Sequence, residues 1–233
     1  MATVIERDML MSLLKLTKDG SILIENVNKD SKIASHIVRK LLEKLQNEGL
    51  VYLKDDTVEI NSDNRLRLAV RAISLGADIE HVSGFFSWQE FENIAALALE
   101  RNGYDVTKNL RFKSSGRRWE IDVVGCRKPL VLCVDCKHWQ RGVKPSALRK
   151  IVEAQVERAH ALADTLPNAK WKAECVKWNK AKFVPVILSL LPSRSKFYEN
   201  VPVVPVLQLQ DFLIQLPAQV ESLTYFVKGF SHL

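Results

Sequence analysis

The most informative stretch of the chain is residues 130–137, which read Leu-Val-Leu-Cys-Val-Asp-Cys-Lys. The run is apolar and contains β-branched residues, as is typical of a strand inside a sheet. Side chains alternate between the two faces of a strand, so Asp135 and Lys137 are predicted to point to the same face at the strand's end. A buried charge is costly unless it is paired or binds a metal. Taken alone, this Asp-x-Lys pattern is explained most simply by a structural salt bridge.

A second acid changes that interpretation. Residues 119–125 form another strand-like run, which carries Asp122. Only a short turn separates the two runs, so they are predicted to form a hairpin that can place Asp122 beside Asp135. Two close carboxylates repel and raise each other's pKa. A divalent cation between them explains such a pair best, and oxygen ligands favour Mg²⁺ or Mn²⁺. Lys137 is then placed to stabilise phosphate charge or to orient a water molecule.

The surrounding elements alternate in type. After a polar connection at 76–84, helices are predicted at 88–101, 146–166 and 209–216. Further strands are predicted at 104–112, 183–190 and 201–207. This order predicts an α/β fold. We therefore divide the chain into predicted domains at 1–80 and 85–233.

The N-terminal 75 residues follow a different pattern. Three helices, a short hairpin and a fourth helix are predicted, an order that resembles winged helix-turn-helix domains. The third helix would expose the candidate DNA contacts Lys32, His36, Arg39 and Lys40. Residues 1–80 hold 12 basic and 13 acidic residues, which weakens the case for DNA reading. Protein contacts or dimerisation are therefore the alternative role for this domain.

Five positions of the second domain occur in the order of a known nuclease motif. They are Glu92, Gly103, Asp122, Asp135 and Lys137. This pattern resembles the PD-(D/E)xK, or restriction-endonuclease-like, superfamily, and the surroundings of Glu92 and Gly103 resemble Mrr-type endonucleases and archaeal Holliday-junction resolvases. The resemblance covers 87–216, although Ile121 stands where many members have proline. It implies an α/β core, a mixed sheet flanked by helices, preceded here by the mainly α winged-helix domain.

The resemblance also implies roles for individual residues. Asp122, Asp135 and the Cys136 carbonyl would bind the metal, and Glu92 would bind it directly or through water. Lys137 would activate or position the attacking water. Some subfamilies carry a glutamine near the site on the following helix, where this chain has Gln155; an exposed helix residue is the alternative. Glu120 is either a second acid at the site or a partner for the neighbouring arginines.

The positive charge of the chain is concentrated. The whole sequence has 34 basic and 27 acidic residues, a net charge of +7, whereas 103–150 alone holds 12 basic and 4 acidic residues. Clustered positive charge indicates a polyanionic partner such as DNA, with a solvated basic face as the alternative. The candidate contacts here are Arg111, Lys113, Arg117, Arg118, Arg141 and Lys144.

Several classes of protein are disfavoured by the sequence. Apolar runs reach about nine residues, whereas a membrane span needs about 20. No signal-peptide pattern is present at the start, so we expect a cytoplasmic protein. The four cysteines are too few for a disulfide scaffold. Cys133 and Cys136 resemble a metal-binding pair, but on a strand they would face opposite sides of the sheet.

Together these features predict a nuclease that uses Mg²⁺ or Mn²⁺ to hydrolyse DNA phosphodiester bonds. No small-molecule cofactor is expected. A homodimer is left open, because related nucleases often pair two sites to cut two strands. The main alternative is a DNA-binding or regulatory protein with an inactive nuclease fold. A third is a winged-helix regulator with an unrelated sensor domain, against which the acids on apolar strands argue.

Overall fold

The computed structural model describes residues 2–137, 143–166, 171, 173–190 and 195–230. The chain divides into two compact units, Met1–Glu90 and Phe91–Leu233. In these described ranges, no helix combines the length and the apolar character needed to cross a membrane.

The first unit is mainly helical, as the sequence predicts. Its elements are α1 (Ala2–Leu16), β1 (Ile22–Leu23), α2 (Ile24–Ser31), α3 (Ser35–Asn47), β2 (Tyr52–Lys54), β3 (Thr57–Glu59), α4 (Ser62–Ser74) and α5 (Ile79–Ser83). β3 is the central strand of a small antiparallel sheet, with β1 and β2 on either side. The predicted hairpin is thus joined by a third strand. The assignment of this unit to the winged-helix family stays a prediction.

Local sequence explains the faces and ends of these helices. Val38, Leu42 and Leu45 of α3 are buried, because their spacing of three to four residues places them on one side of the helix. Asn61 caps α4, and its side chain accepts a hydrogen bond of 2.8 Å from the Asn64 N–H. Such a cap satisfies one of the backbone donors that the first helical turn leaves unpaired.

A buried arginine holds the first unit together. Arg65 of α4 is 2% exposed, and its Nε donates to Glu90 Oε1 at 2.5 Å. Its Nη1 donates to the Leu14 carbonyl at 2.9 Å and to Thr17 Oγ1 at 2.7 Å, and its Nη2 donates to the Phe85 carbonyl at 2.8 Å. One guanidinium therefore links four separate segments of the unit.

We expect Arg65→Met to destabilise the first unit strongly. The substitution leaves the Glu90 carboxylate buried without its cation, and breaking a buried ion pair from one side costs about 3–5 kcal/mol. Chemical denaturation followed by circular dichroism measures the change. The matched control is Arg67→Met, because Arg67 is an exposed arginine of the same helix. Equal stability of the two variants would contradict the role given to Arg65.

The second unit follows the predicted order of helices and strands. It contains most of α6 (Trp88–Arg101), followed by β4 (Asp105–Ser114), β5 (Arg117–Arg127), β6 (Leu130–Lys137), α7 (Pro145–Thr165), β7 (Lys180–Ser189), β8 (Phe197–Tyr198), β9 (Val201–Pro205), α8 (Leu209–Gln219) and β10 (Phe226–Gly229). The strand order in the sheet is β4-β5-β6-β7-β9-β8, and β10 also pairs with β7. β4, β5 and β6 form an antiparallel meander, whereas β6, β7 and β9 are parallel. The sheet is therefore mixed, and the predicted α/β fold class is confirmed.

Helices cover both faces of this sheet. On one face, Ala159 and Leu162 of α7 share an apolar cluster with Val124 of β5 and Cys133 of β6. On the other face, α6 and α8 pack against β6 and β7. Central strands that are covered on both faces are expected to be continuously apolar. This burial explains the sequence of β6, in which every residue before Lys137 is buried.

Candidate active site

The hairpin of β5 and β6 opens at the end that carries the predicted acids. The two strands pair as far as Val123 and Val134, and the next residue on each is an aspartate. The Cys136 N–H donates to Asp122 Oδ2 at 2.7 Å, so a side chain takes the place of a backbone partner. Asp122 and Asp135 thus lie at the open end of the hairpin, as predicted.

β5 is distorted at Asp122. Ile121 and Val124 are three residues apart, yet both lie in the apolar cluster beneath α7. Regular alternation would place them on opposite faces, so the alternation breaks between them. Asn109 of β4, which lies beside this point in the register, has a positive φ of 51°. The distortion explains how the Asp122 side chain reaches the Cys136 backbone at the edge of the hairpin.

Two cations neutralise the buried aspartate of β6. Asp135 is 4% exposed, and its Oδ2 lies 2.8 Å from Lys137 Nζ. Its Oδ1 lies 3.2 Å from Nη1 of Arg158, a residue of α7. Each carboxylate oxygen therefore has its own positively charged neighbour. This pairing offsets the cost of burying a carboxylate in the sheet.

The three predicted acids interact electrostatically. Burial raises the pKa of Asp122 to about 6, and the nearby Asp135 and Glu92 carboxylates raise it as well. The Cys136 N–H and Lys137 act in the opposite direction on the same pKa. Glu92, on α6, is itself 7% exposed. The electrostatic environment of Asp122 thus includes the carboxyl groups of Asp135 and Glu92 and the ammonium of Lys137.

Gln155 lies beneath the site and not on the surface. Its side chain is fully buried, and its Nε2 donates to the Cys133 carbonyl at 2.6 Å. Its Oε1 accepts from Arg158 Nη1 at 3.3 Å. The alternative of an exposed helix residue is therefore wrong. Through Arg158, Gln155 is connected to Asp135.

The oxygen donors at the open end of the hairpin have the chemistry that a hard divalent cation requires. Asp135 Oδ2 is buried and receives no hydrogen bond from the described residues, and the Lys137 ammonium lies 2.8 Å from it as an ion-pair partner. The N–H and C=O of a strand residue point to the same side, so the Cys136 carbonyl faces the gap that its N–H faces. Among the described side chains, no three from His, Cys, Asp or Glu are already gathered as a metal-binding group.

Comparison with known proteins identifies the segment that contains these residues. Residues 85–167 match the model of the Mrr catalytic domain, described as a restriction endonuclease. The segment 85–167 is therefore similar to a restriction endonuclease domain. The match includes Glu92, Asp122, Asp135, Lys137 and Gln155.

The chain is also similar to an uncharacterised protein and to two solved structures. An uncharacterised protein of Archaeoglobus fulgidus is 29% identical over 130 residues, which are 55% of this chain and 91% of that protein. A crystal structure of a protein of unknown function has a TM-score of 0.31 and 17% identity, with 45% of this chain and 47% of the other covered. A Vibrio cholerae protein of known structure has a TM-score of 0.39 and 13% identity, with 95% of this chain and 53% of the other covered. The chain thus spans about half the length of each solved chain.

The basic residues predicted to contact DNA from the endonuclease-like domain are exposed. They are Arg111, Lys113, Arg117, Arg118 and Lys144. Arg111 is paired with Glu120 at 3.1 Å, and Arg117 is paired with Glu157 at 3.3 Å. Arg141 lies outside the described residues. Surface pairs of this kind are weak, so these arginines remain available to a phosphate backbone.

The candidate contacts in the first unit are also on the surface. They are Lys32, His36, Arg39 and Lys40. The prediction that the third helix carries Lys32 is wrong, because Lys32 ends α2 and α3 begins at Ser35. Arg39 Nη2 lies 3.2 Å from Asp56 in the turn between β2 and β3. An acidic residue therefore already compensates part of the positive charge next to α3.

Glu120 and the pair formed by Cys133 and Cys136 allow more than one interpretation in the sequence, and the structure defines the environment of each. Glu120 is exposed and paired with Arg111 of β4, so its partner differs from the arginines next to it in sequence. Cys133 packs in the cluster beneath α7, whereas the pKa of the Cys136 thiol is raised by burial and then by the acids of the site. The two thiols therefore lie in different environments, as the strand pattern predicts.

Arg158 is the site residue that the sequence analysis missed. It belongs to a helix with several charged residues, and nothing in its type separates it from the exposed Arg149. Only its spacing from Gln155 could have indicated its position near the site. Residues three apart on a helix are neighbours, and Arg158 is three residues after Gln155.

Proposed function

We propose that this protein is a divalent-metal-dependent endonuclease that hydrolyses DNA phosphodiester bonds. One observation carries the proposal: Asp122 and Asp135 lie at the open end of the β5–β6 hairpin, with Lys137 2.8 Å from Asp135. The match of 85–167 to a restriction endonuclease model supports the same reaction class. Two acids on neighbouring strands and a lysine beside them suit hydrolysis of a phosphate ester.

The proposed ligands of Mg²⁺ or Mn²⁺ are Asp122, Asp135 and the Cys136 carbonyl, with Glu92 binding directly or through water. When bound, the ion lowers the pKa of a water molecule and offsets negative charge on the phosphate. Asp122 and Asp135 supply the negative charge that holds the cation. Burial and the neighbouring carboxylates raise the pKa of Asp122, and a bound cation would stabilise its ionised form.

Lys137 has a different proposed role. Its side chain is 23% exposed, and it extends beyond the buried end of β6. Its ammonium is placed to orient the attacking water or to stabilise charge on the phosphate, as preorganised donors do in hydrolytic sites. Glu92, buried on α6, adds negative charge on the Asp122 side of the site.

The proposed substrate is DNA, because positive charge is concentrated in the segment that surrounds the site. The N-terminal unit is proposed to bind substrate or to mediate dimerisation through the α3 side. A homodimer would supply two sites for the two strands of a duplex.

An inactive nuclease fold is the second candidate. It is favoured by the two cations on Asp135 and by the absence, among the described side chains, of a preformed group of three metal ligands. In that case the protein would bind DNA and would not cut it. Incubation with circular, linear and branched DNA in the presence of Mg²⁺ or Mn²⁺ separates the two candidates. Nicked or linearised circular DNA supports the endonuclease, and DNA binding without any cleavage supports the inactive fold.

DNA affinity is expected to fall steeply with salt. The segment 103–150 would neutralise phosphates and release counterions, and the slope of log K against log salt is about −0.9 per phosphate contact. Reversing the charges of Arg117 and Arg118 to glutamate should weaken binding to all sequences alike and flatten that slope. Fluorescence anisotropy with two duplexes of unrelated sequence, measured from low to physiological salt, tests this. An affinity that does not change with salt would contradict an electrostatic contact.

A further inference from the structure

Arg158 connects two residues of the candidate site from beneath the sheet. Its Nη1 lies 3.2 Å from Asp135 Oδ1 and 3.3 Å from Gln155 Oε1. Its side chain is 28% exposed, whereas Asp135 and Gln155 are buried. The arginine thus contacts Oδ1 of Asp135, whereas the ion pair with Lys137 is formed by Oδ2.

The orientation of Arg158 depends on Gln155. The Gln155 amide must turn its Nε2 toward the Cys133 carbonyl, 2.6 Å away, because a carbonyl there accepts only from a donor. This leaves Gln155 Oε1 facing Arg158, which has donors and no acceptor. Cys133 is two residues before Asp135 on the same face of β6. The residue that holds Gln155 and the residue that Arg158 contacts therefore belong to the same strand.

The two oxygens of Asp135 therefore have different environments. Oδ1 is held by an arginine on a packed helix, next to Ala159 in the core cluster. Oδ2 is buried, lacks a hydrogen bond from the described residues and has the ammonium of Lys137 2.8 Å away. An ion bound at the hairpin's open end would replace the Lys137 ammonium at Oδ2 and find the carboxylate already oriented.

We propose that Arg158 is a positioning residue, which fixes Asp135 through Oδ1 so that Oδ2 is presented to the metal, and that Gln155 acts through it. The inference rests on the proposed function. Groups that hydrogen-bond a metal ligand from behind orient it, and their loss typically costs about 10–100-fold in metal affinity or activity. Arg158 can keep its contact with Oδ1 while Lys137 leaves Oδ2.

A purely electrostatic account makes the opposite prediction. If Arg158 only competed with the metal for Asp135, its removal would leave a more negative site that binds cations more tightly. The sign of the change in metal affinity therefore separates positioning from competition.

The test compares Arg158→Met with the wild type by calorimetric titration of Mn²⁺ in the absence of DNA. We expect Mn²⁺ affinity to fall about 10–100-fold, with cleavage falling at least as far at a fixed Mn²⁺ concentration. Arg158→Lys, which keeps the charge, should recover part of the affinity and serves if Arg158→Met does not fold. Arg149→Met is the matched control, because Arg149 is an exposed arginine of the same helix that pairs with Glu153.

Gln155→Leu adds an independent test. If Gln155 acts only through Arg158, the double variant should bind Mn²⁺ no more weakly than Arg158→Met alone. Losses that add in full would mean that Gln155 acts on the site by another route and would overturn the proposal. Metal-free DNA affinities should stay near that of the wild type in folded variants.

The outcomes distinguish the inference from the proposed function. A wild type that binds Mn²⁺ and cuts DNA, with Arg158→Met equal to Arg149→Met or binding Mn²⁺ more tightly, would overturn the inference alone. A wild type that neither binds Mn²⁺ nor cuts DNA would overturn the proposed function and the inference with it.

Discussion

Asp135→Asn is expected to reduce metal-dependent DNA cleavage by several powers of ten. Asparagine keeps the shape of the side chain but removes one negative charge from the proposed metal site. A site that loses a charged ligand holds a divalent cation poorly, and hydrolysis loses the ion that generates its nucleophile. DNA binding should survive or strengthen, because a negative charge near the phosphates is gone.

Cleavage rates, Mn²⁺ affinity and DNA affinity are the three measurements for this variant. Asp164→Asn is the matched control, since Asp164 is exposed on α7, pairs with His160 and has no contact with the site. A variant that unfolds would make Asp135 part of a structural ion pair with Lys137 and Arg158. A folded variant that cuts like the wild type would place the active site elsewhere.

Lys137→Met is expected to lower the cleavage rate about 10²–10³-fold, the usual effect of removing one preorganised charge from a hydrolytic site. Methionine has a similar length and no charge. Because Lys137 is not a proposed ligand, Mn²⁺ affinity should stay within a small factor of the wild type. This pattern, slow cleavage with retained metal, differs from that of Asp135→Asn.

Single-turnover cleavage at saturating Mn²⁺ separates the loss of chemistry from the loss of metal. Lys15→Met, which removes an exposed lysine of α1 that pairs with Asp30, controls for the change in net charge. Loss of Mn²⁺ binding in Lys137→Met would contradict its separation from the ligand set. Normal cleavage would mean that the lysine only neutralises Asp135.

The central strands and the acid pair could be predicted from the sequence. The apolar run of β6, which contains β-branched residues, predicted a strand, and its period of two placed Asp135 beside Lys137. The short turn before β6 made the hairpin with β5 the simplest pairing, which brought Asp122 near Asp135. These inferences depend on local periodicity and turn length, which sequence reports directly.

The other features of the fold and of the candidate site depend on tertiary packing and could not be predicted from the sequence. The break in alternation at Asp122 is not visible in the sequence, because both regular and distorted strands accept the residues around it. The partner of Glu120 is Arg111 on the neighbouring strand, whereas sequence proximity pointed to adjacent arginines. The role of Arg158 required knowing which side of α7 faces Asp135. The sequence analysis predicts no strand at β10, which is short and partly polar and is formed by pairing with β7.

Cleavage of supercoiled plasmid by the purified chain tests the central claim most directly. The wild type should nick or linearise the plasmid with Mg²⁺ or Mn²⁺, stop when EDTA removes the ion, and resume when the ion is restored. Asp135→Asn from the same preparation should leave the plasmid intact. Cleavage that continues in EDTA, or a wild type that binds plasmid but leaves it intact with either ion, would contradict a metal-dependent nuclease at the Asp122–Asp135 site.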